Sequence, residues 1–355
     1  MTYPEDAPVV TAERLEDLST LYGLITQTYN KKLLPLFELR YNDLKSEFDC
    51  ECIVISGGVE NIPANTFRGF ENIKEVILPK SLKTIGNYAF SSCTSLERIS
   101  FPEGLKKIGT YSFANCVSLE KLTLPENIEE IGGAAFAWCN KLKEIDFASV
   151  KVINAKAFFE CFALQSITFP ESIELVDCDS FAGCKALTEI NIPKKEFNID
   201  GSFANGTPWL ENYPDDFVIG GDNILIAYKG SADEVFIPDG IKSISCCAFE
   251  DARVRKVHIP DTVHDIGMAA FYFCSELEEI NIPPLVTVIR EGTFYKCRSL
   301  KEIVLPPSVT EVKFRAFRHC SSLENVVGAE NLKKVGSVAF TYSPWADKHP
   351  EYEKE

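Results

Sequence analysis

LPKSLKTIGNYAFSSCTSLERI, residues 78–99, is followed by FPEGLKKIGTYSFANCVSLEKL (101–122) and LPENIEEIGGAAFAWCNKLKEI (124–145), and the frame returns at IPDTVHDIGMAAFYFCSELEEI (259–280). Its most regular mark is a phenylalanine behind a small residue. That mark falls at Phe67, Phe90, Phe113, Phe136, Phe158, Phe181, Phe203, Phe249, Phe271, Phe294, Phe317 and Phe340, every 22 or 23 residues except for one interval of 46, which is twice 23. Twelve frames therefore run in phase from about residue 53 to 343. A period of this length, held so long, marks a stacked array rather than the two globular domains that 355 residues alone would suggest.

Within a frame, Leu96-x-x-Ile99-x-Phe101 sets apolar residues on one face of a short strand with polar ones between, and Leu119-x-x-Leu122-x-Leu124, Leu277-x-x-Ile280-x-Ile282 and Leu300-x-x-Ile303-x-Leu305 repeat it. A proline then ends the strand. Leu82 with Ile85, or Val263 with Ile266, predicts a second short extended segment, and Gly86, Gly109, Gly132 and Gly267 are expected to supply a turn that needs no Cβ. In AFxxCxxL, Phe90, Cys93 and Leu96 fall three residues apart, the spacing of one or two turns of α- or 3-10 helix. One frame is thus one coil. A coil of 23 residues cannot bury its apolar face alone, so coils must stack, each covering the next. Parallel strands about 4.8 Å apart then give a solenoid on the order of 60 Å long.

The frame IPxxVxxIGxxAFxxCxxLxxI resembles the BspA-type leucine-rich repeat, an LRR_5-like class found largely in surface and secreted proteins of anaerobic bacteria and in some parasitic protists. The resemblance covers about 290 of the 355 residues. It implies a right-handed leucine-rich-repeat solenoid, β-rich, with parallel strands and short helical or 3-10 turns. It further implies a non-catalytic protein-binding or adhesion role at a cell surface or in a secreted protein, directed at a host or partner macromolecule. No catalytic motif exists in that family to carry over.

Composition fits this picture. The chain has 36 Lys+Arg against 52 Asp+Glu, a net charge of −16, which disfavours nucleic acid and anionic membrane surfaces as partners. No stretch holds the roughly 18 consecutive apolar residues of a membrane span. The first thirty residues lack the basic and apolar regions of a secretory signal, so the chain as given is expected to carry none. An intracellular scaffold or effector is the alternative that this and the thirteen cysteines would suit. No cofactor or metal is expected.

Eight cysteines share one phase, three residues after the phenylalanine: Cys93, Cys116, Cys139, Cys161, Cys184, Cys274, Cys297 and Cys320. Phe70, Gly206, Ala252 and Ser343 fill the slot elsewhere, so it is interior and the thiols act as small buried hydrophobes. Stacked in a line, they cannot surround an ion tetrahedrally. Cys50 with Cys52 makes only a weak metal signal, and Cys178, Cys246 and Cys247 read as structural.

The 46-residue interval contains Phe217-Val218-Ile219 and Ile224-Leu225-Ile226 around Gly-Gly-Asp-Asn, which predicts a β-hairpin. The chain is therefore divided into a helical N-terminal cap (1–51), a first solenoid block (52–206), a hairpin insert (207–235), a second block (236–345) and a polar tail (346–355). Leu15, Leu18, Leu21, Tyr22 and Ile25, behind the N-cap candidate Thr11, lie on one helical face and are expected to cover the first coil. Pro-Trp closes each block, at Trp209 and Trp345, and predicts an end cap.

Two surfaces qualify for binding. Trp209, Tyr213 and Tyr228 sit near the base of the hairpin, where they form a contact surface or plug the coil end. The residues between the strand's apolar positions face outward in two columns, with Glu97, Glu120 and Glu278 in one and Glu144, Glu279 and Glu302 in the next, interleaved with Lys and Arg. These columns contain no aromatics, so a sugar-stacking groove is not indicated, and an acidic, protein-facing surface or a self-satisfied charge ladder fits. Of the four histidines, His258 and His264 straddle one turn near Asp261 and Asp265 and read as solvated residues.

Overall fold

The computed structural model describes residues 9–10, 51–55 and 58–352. The helices expected in the N-terminal 51 residues lie outside the described residues, as do Cys50 and the last three residues. Val9 and Val10 pair in parallel with Val54 and Ile55. The described chain is a parallel β-solenoid of about 12 turns with very little helix. It divides into two compact units, one running up to Ile192 and including Phe203–Asn212, the other comprising Pro193–Ser202 and the chain from Tyr213 onward.

In the first unit each coil adds one strand to each of two ladders. Glu75–Ile77 pairs in register with Arg98–Ser100, Lys121–Thr123 with Glu144–Asp146, and Ser166–Thr168 with Glu189–Asn191. Each of these strands sets its middle residue inward, as Leu122 lies buried between exposed Lys121 and Thr123. The strands stop where a proline such as Pro79, Pro102 or Pro125 removes the next N–H. The second ladder joins Asn61–Ile62, Thr84–Ile85, Lys107–Ile108, Glu130–Ile131, Val152–Ile153 and Leu175–Val176 in sequence.

The third side departs from the expected helix. Cys93 N–H donates to the Phe90 carbonyl at 3.2 Å and Leu96 N–H to the Cys93 carbonyl at 3.1 Å, the reach of single 3-10 turns. Alternate N–H groups, however, leave the coil: Tyr88, Phe90 and Ser92 donate to Thr110, Ser112 and Ala114 of the next one at 2.7–2.9 Å. Tyr88 and Ser92 sit at φ +58° and +61°, and these left-handed residues on either side of the phenylalanine prevent a helix from propagating. The frame glycines serve a different purpose from the one expected. None of Gly86, Gly109, Gly132 and Gly267 has positive φ. A Cβ on Gly109 would lie 2.7 Å from the backbone of Gly86, and one on Gly267 2.4 Å from that of Cys246, so glycine here permits close approach of successive coils.

The core is a column of rings. Phe67, Phe90, Phe113, Phe136, Phe158 and Phe181 stack with centroids 5.1–5.3 Å apart and planes within 16°. All are fully buried, each side chain stabilising by about 1.5–3 kcal/mol through loss of contact with water.

The second unit repeats the plan. Glu234–Phe236, Lys256–His258 and Glu279–Ile280 form one ladder, continued by Glu302–Val304 with Asn325–Val327. Its ring column runs Phe249, Phe271, Phe294, Phe317 and Phe340. Phe217–Gly220 pairs antiparallel with Ile224–Tyr228, which on its other side pairs in parallel with Ser243–Ile244. Tyr228 thereby enters the phenylalanine column, its ring 4.9 Å from Phe249 and its N–H on the Ala248 carbonyl, as Phe249 and Phe271 donate to Ala270 and Thr293, the residues before the next phenylalanine. The stretch read as a polar tail is folded at least to Tyr352. Pro344–Lys348 is helical, Ala346 is buried, and Tyr352 donates its hydroxyl to the Ala329 carbonyl at 3.3 Å.

Candidate interaction surfaces

The residues on either side of each inward strand position reach solvent, and adjacent coils place them opposite one another. Lys121 meets Glu144 at 2.9 Å, Lys143 meets Glu120 at 2.9 Å, and Arg98 meets Glu75 and the neighbouring Glu97, each at 3.3 Å. In the second unit Arg255 meets Glu278 at 2.7 Å and Lys256 meets Glu279 at 2.8 Å. The direct hydrogen bond first, then the Coulomb attraction, holds the Glu120 and Glu144 carboxyls below their ordinary range and lifts Lys121 above its own. These pairs are solvent-exposed and screened, so they order the face more than they stabilise it. Of the six glutamates expected to bind, five are thus occupied by a cation on their own surface. Glu302 is the exception, with no cation within 4 Å among the described residues.

A third outward column escaped the sequence reading. It is the last residue of the strand triplet, occupied in the first unit by Val54, Ile77, Ser100, Thr123, Asp146, Thr168 and Asn191 and in the second by Phe236, His258, Asn281, Val304 and Val327. Phe236 is 65% exposed, Val304 52% and Val327 49%. Phe236 stacks on His258 at 4.2 Å, and His258 Nε2 lies 2.9 Å from Glu234. Beside Val304 a shallow groove of about 340 Å³ is lined by Glu278, Glu279, Ile280, Lys301 and Glu302. The signal was present: the position is polar in the five frames from Ser100 to Asn191 and apolar again at Phe236, Val304 and Val327.

The aromatic candidates are engaged in packing. Trp209, in the first unit, donates its N–H to the Leu187 carbonyl at 2.9 Å and sets its ring 5.7 Å from Phe203. Tyr213, in the second, donates its hydroxyl to Ile219 at 3.1 Å, and Tyr228 packs between Phe217 and Phe249. The histidines near Asp261 and Asp265 have separate partners, His258 on Glu234, His264 on Glu196 at 3.3 Å, while Asp265 holds Arg290 at 2.8 Å. Among the described residues no three His, Cys, Asp or Glu side chains are arranged to hold a metal.

The eight column cysteines are fully buried, and each Sγ donates to the carbonyl of the phenylalanine one coil back, from Cys93 to Phe67 at 3.2 Å through Cys320 to Phe294 at 3.1 Å. A small residue with a weak donor fits that slot better than a pure hydrocarbon. Burial drives the Cys139 and Cys274 thiols up to about 12.

The model of the BspA type leucine-rich repeat region matches residues 45–161, 134–212 and 226–345. The chain belongs to that family. This BspA-type protein is similar to a leucine-rich cell surface protein from Faecalibacterium prausnitzii, 25% identical over 83% of this chain and 77% of that one, with a TM-score of 0.44. A leucine-rich repeat protein from Bacteroides ovatus is 26% identical over 82% and 76%, with a TM-score of 0.43. The pneumococcal vaccine antigen PcpA is 20% identical over 82% and 68%, with a TM-score of 0.40. No curated protein matches. The matching model describes a repeat used for protein interaction, and no enzymatic family is indicated. Among the described residues no helix of this BspA-type chain is long and apolar enough to cross a membrane.

Proposed function

We propose that this chain is a non-catalytic binding module of a bacterial cell-surface or secreted protein, and that it adheres to a host or partner protein through the strand face of its second unit. The observation that carries this reading is the exposed column of Phe236, Val304 and Val327, flanked by the unneutralised Glu302. Apolar side chains left in water on a face otherwise made of ion pairs have the composition of an interface: an apolar centre inside a polar rim. Family membership supports the choice of a protein partner.

The test immobilises the chain and passes a panel of extracellular-matrix and epithelial-surface proteins over it, comparing wild type with the double variant F236S/V304D. Ligands of the wild type are expected to lose at least tenfold in affinity. Undiminished binding by a folded variant would remove the strand face from the proposal. A second reading, an intracellular scaffold, is favoured by the eight cysteines that the fold buries as thiol donors to phenylalanine carbonyls. Labelling intact cells of the source bacterium with a membrane-impermeant biotin reagent separates the two.

A further inference from the structure

The turns that follow the column phenylalanines differ between the units. In the first, the next two residues are mostly small, as in Ser91-Ser92, Ala114-Asn115 and Ala182-Gly183, with Ala137-Trp138 and Phe159-Glu160 as exceptions, whereas in the second Glu250-Asp251 is followed in consecutive coils by Tyr272-Phe273, Tyr295-Lys296 and Arg318-His319. The second residue of each pair sits in the left-handed region, at φ +61° for Phe273, +60° for Lys296 and +65° for His319, with Tyr342 at +65° in the last coil. Bulky side chains are costly in that conformation, and glycine or asparagine would serve the fold better. The backbone conformation gives no reason to place aromatics and cations there.

These side chains form one connected surface. Tyr272 stacks on Tyr295 at 4.8 Å, Tyr295 meets His319 edge-on at 5.6 Å, and His319 stacks on Tyr342 at 4.5 Å. Lys296 lies 4.3 Å over the Phe273 ring and Arg318 lies 5.4 Å over Tyr342. Arg298 acts on His319 and Arg315 on Tyr272. Burial, reinforced by Arg318, Lys296 and Arg298, holds the His319 imidazole below its ordinary range, so it is a neutral ring in the row. On the strand face cations meet carboxylates of the next coil, but here Lys296, Arg298, Arg315 and Arg318 have no carboxylate within 4 Å among the described residues. Glu250, which acts on Tyr272, bounds the patch on that side.

A chain of net charge −16 thus gathers four unneutralised cations among aromatic rings. The ring geometry discriminates among anions. Nucleobases and sugar rings bind by stacking on open aromatic faces, but Tyr272, Tyr295 and His319 use their faces on one another. The guanidinium groups and the ammonium beside these rings match carboxylates through charge-assisted hydrogen bonds. We propose that this turn face of the second unit is a docking site for an acidic polypeptide segment rich in Asp and Glu, which lies across successive coils with its carboxylates on Lys296, Arg298, Arg315 and Arg318. It is separate from the strand-face column of the preceding proposal.

The test is fluorescence anisotropy of a fluorescein-labelled ten-glutamate peptide titrated with the whole chain at 0.05 M and 0.5 M NaCl. Wild type is expected to bind at low salt and to lose at least tenfold at high salt. The variant K296Q/R298Q/R315Q/R318Q should lose at least tenfold at low salt, while F236S/V304D binds like wild type. If the quadruple variant does not fold by circular dichroism, R315Q/R318Q replaces it, with a loss of at least threefold expected. Equal affinity of the charge variant and wild type would overturn the proposal. So would binding of a heparin octasaccharide or (dT)10 in preference to the acidic peptide. A salt-sensitive dimer in sedimentation velocity that the peptide fails to dissociate would overturn it in favour of a second copy of this chain.

Discussion

Replacing Trp345 by alanine should open the second unit from its C-terminal end. The indole is 4% exposed and meets Phe340 at 4.6 Å, His349 at 4.7 Å and Tyr352 at 5.1 Å. It follows the N-cap Ser343, whose hydroxyl accepts from Ala346, and its own N–H closes on the Leu323 carbonyl at 2.9 Å. Truncating a buried tryptophan costs about 3–5 kcal/mol. Because Tyr352 and His349 lose their packing surface with it, the cost should be about 4 kcal/mol, in the middle of that range or above. Trp209 is the internal control. It stands in the same frame, behind N-cap Thr207 and with its N–H on the Leu187 carbonyl at 2.9 Å, but it is only half-buried, its ring 5.7 Å from Phe203. Its replacement should cost about 1–2 kcal/mol. Urea unfolding followed by far-UV circular dichroism measures both; at about 3 kcal/mol per molar of urea, W345A should lower the midpoint by about 1.3 M. Hydrogen exchange locates the loss, because coils are stabilised by their neighbours and the damage should start in residues 317–352. A W345A variant that loses less than about 1 kcal/mol, or no more than W209A loses, would refute the capping argument.

Further outcomes follow from the core and the surface. Phe136, fully buried between Phe113 at 5.2 Å and Phe158 at 5.3 Å, should cost about 4–5 kcal/mol as alanine but no more than about 1.5 kcal/mol as leucine in the same urea assay. The eight column thiols should resist a thiol reagent at pH 8 in the folded protein and all react in denaturant. Because folding raises the Cys139 and Cys274 pKa to about 12, the folded state holds their protons longer than the unfolded state. That stability is complete below the ordinary thiol pKa near 9 and drains away as pH rises towards 12, so urea midpoints at pH 8, 9 and 10 should fall only above pH 9. Lys121→Glu, which sets a third carboxylate beside Glu144 and Asp146, should lower the melting temperature slightly at 0.05 M NaCl and hardly at all at 0.5 M.

The solenoid was legible because a coil that must cover its neighbour constrains the same positions in every turn. Phe136, Leu142 and Ile153 are interior for the same reason as their counterparts one coil away. Four features needed the three-dimensional structure. A helix and a run of alternating inter-coil bonds place apolar residues at the same three-residue spacing, so Phe90, Cys93 and Leu96 could not distinguish them. Glycine frees φ and also permits close approach, and only the 2.7 Å distance from a Cβ on Gly109 to the backbone of Gly86 shows which applies. Tyr228 fits either a contact surface or the coil end as long as the column is defined by phenylalanine, although a phenol serves the column equally when its hydroxyl reaches the edge and accepts from Ala232. The paired glutamates were visible as outward residues, but their occupation by cations depends on register, which one coil's sequence does not contain.

A repeat protein supplies its own reference for function. An outward position is written once per coil, and nothing in the stacking requires it to be any particular residue, so its prevailing type reports what solvent and the adjacent coil allow. Ser100, Thr123 and Thr168 report a hydrated strand end, and Ser91-Ser92, Ala114-Asn115 and Ala182-Gly183 report a turn that tolerates left-handed backbone. Phe236, Val304 and Val327 contradict the first rule; Phe273, Lys296, His319 and Tyr342 contradict the second. Both departures carry a folding penalty, apolar exposure in one case and backbone strain in the other, and both are concentrated in the second unit, Trp138 and Glu160 being the exceptions in the first. Neither penalty is recovered within the coil that bears it, so each is better explained by a contact outside the chain than by the fold.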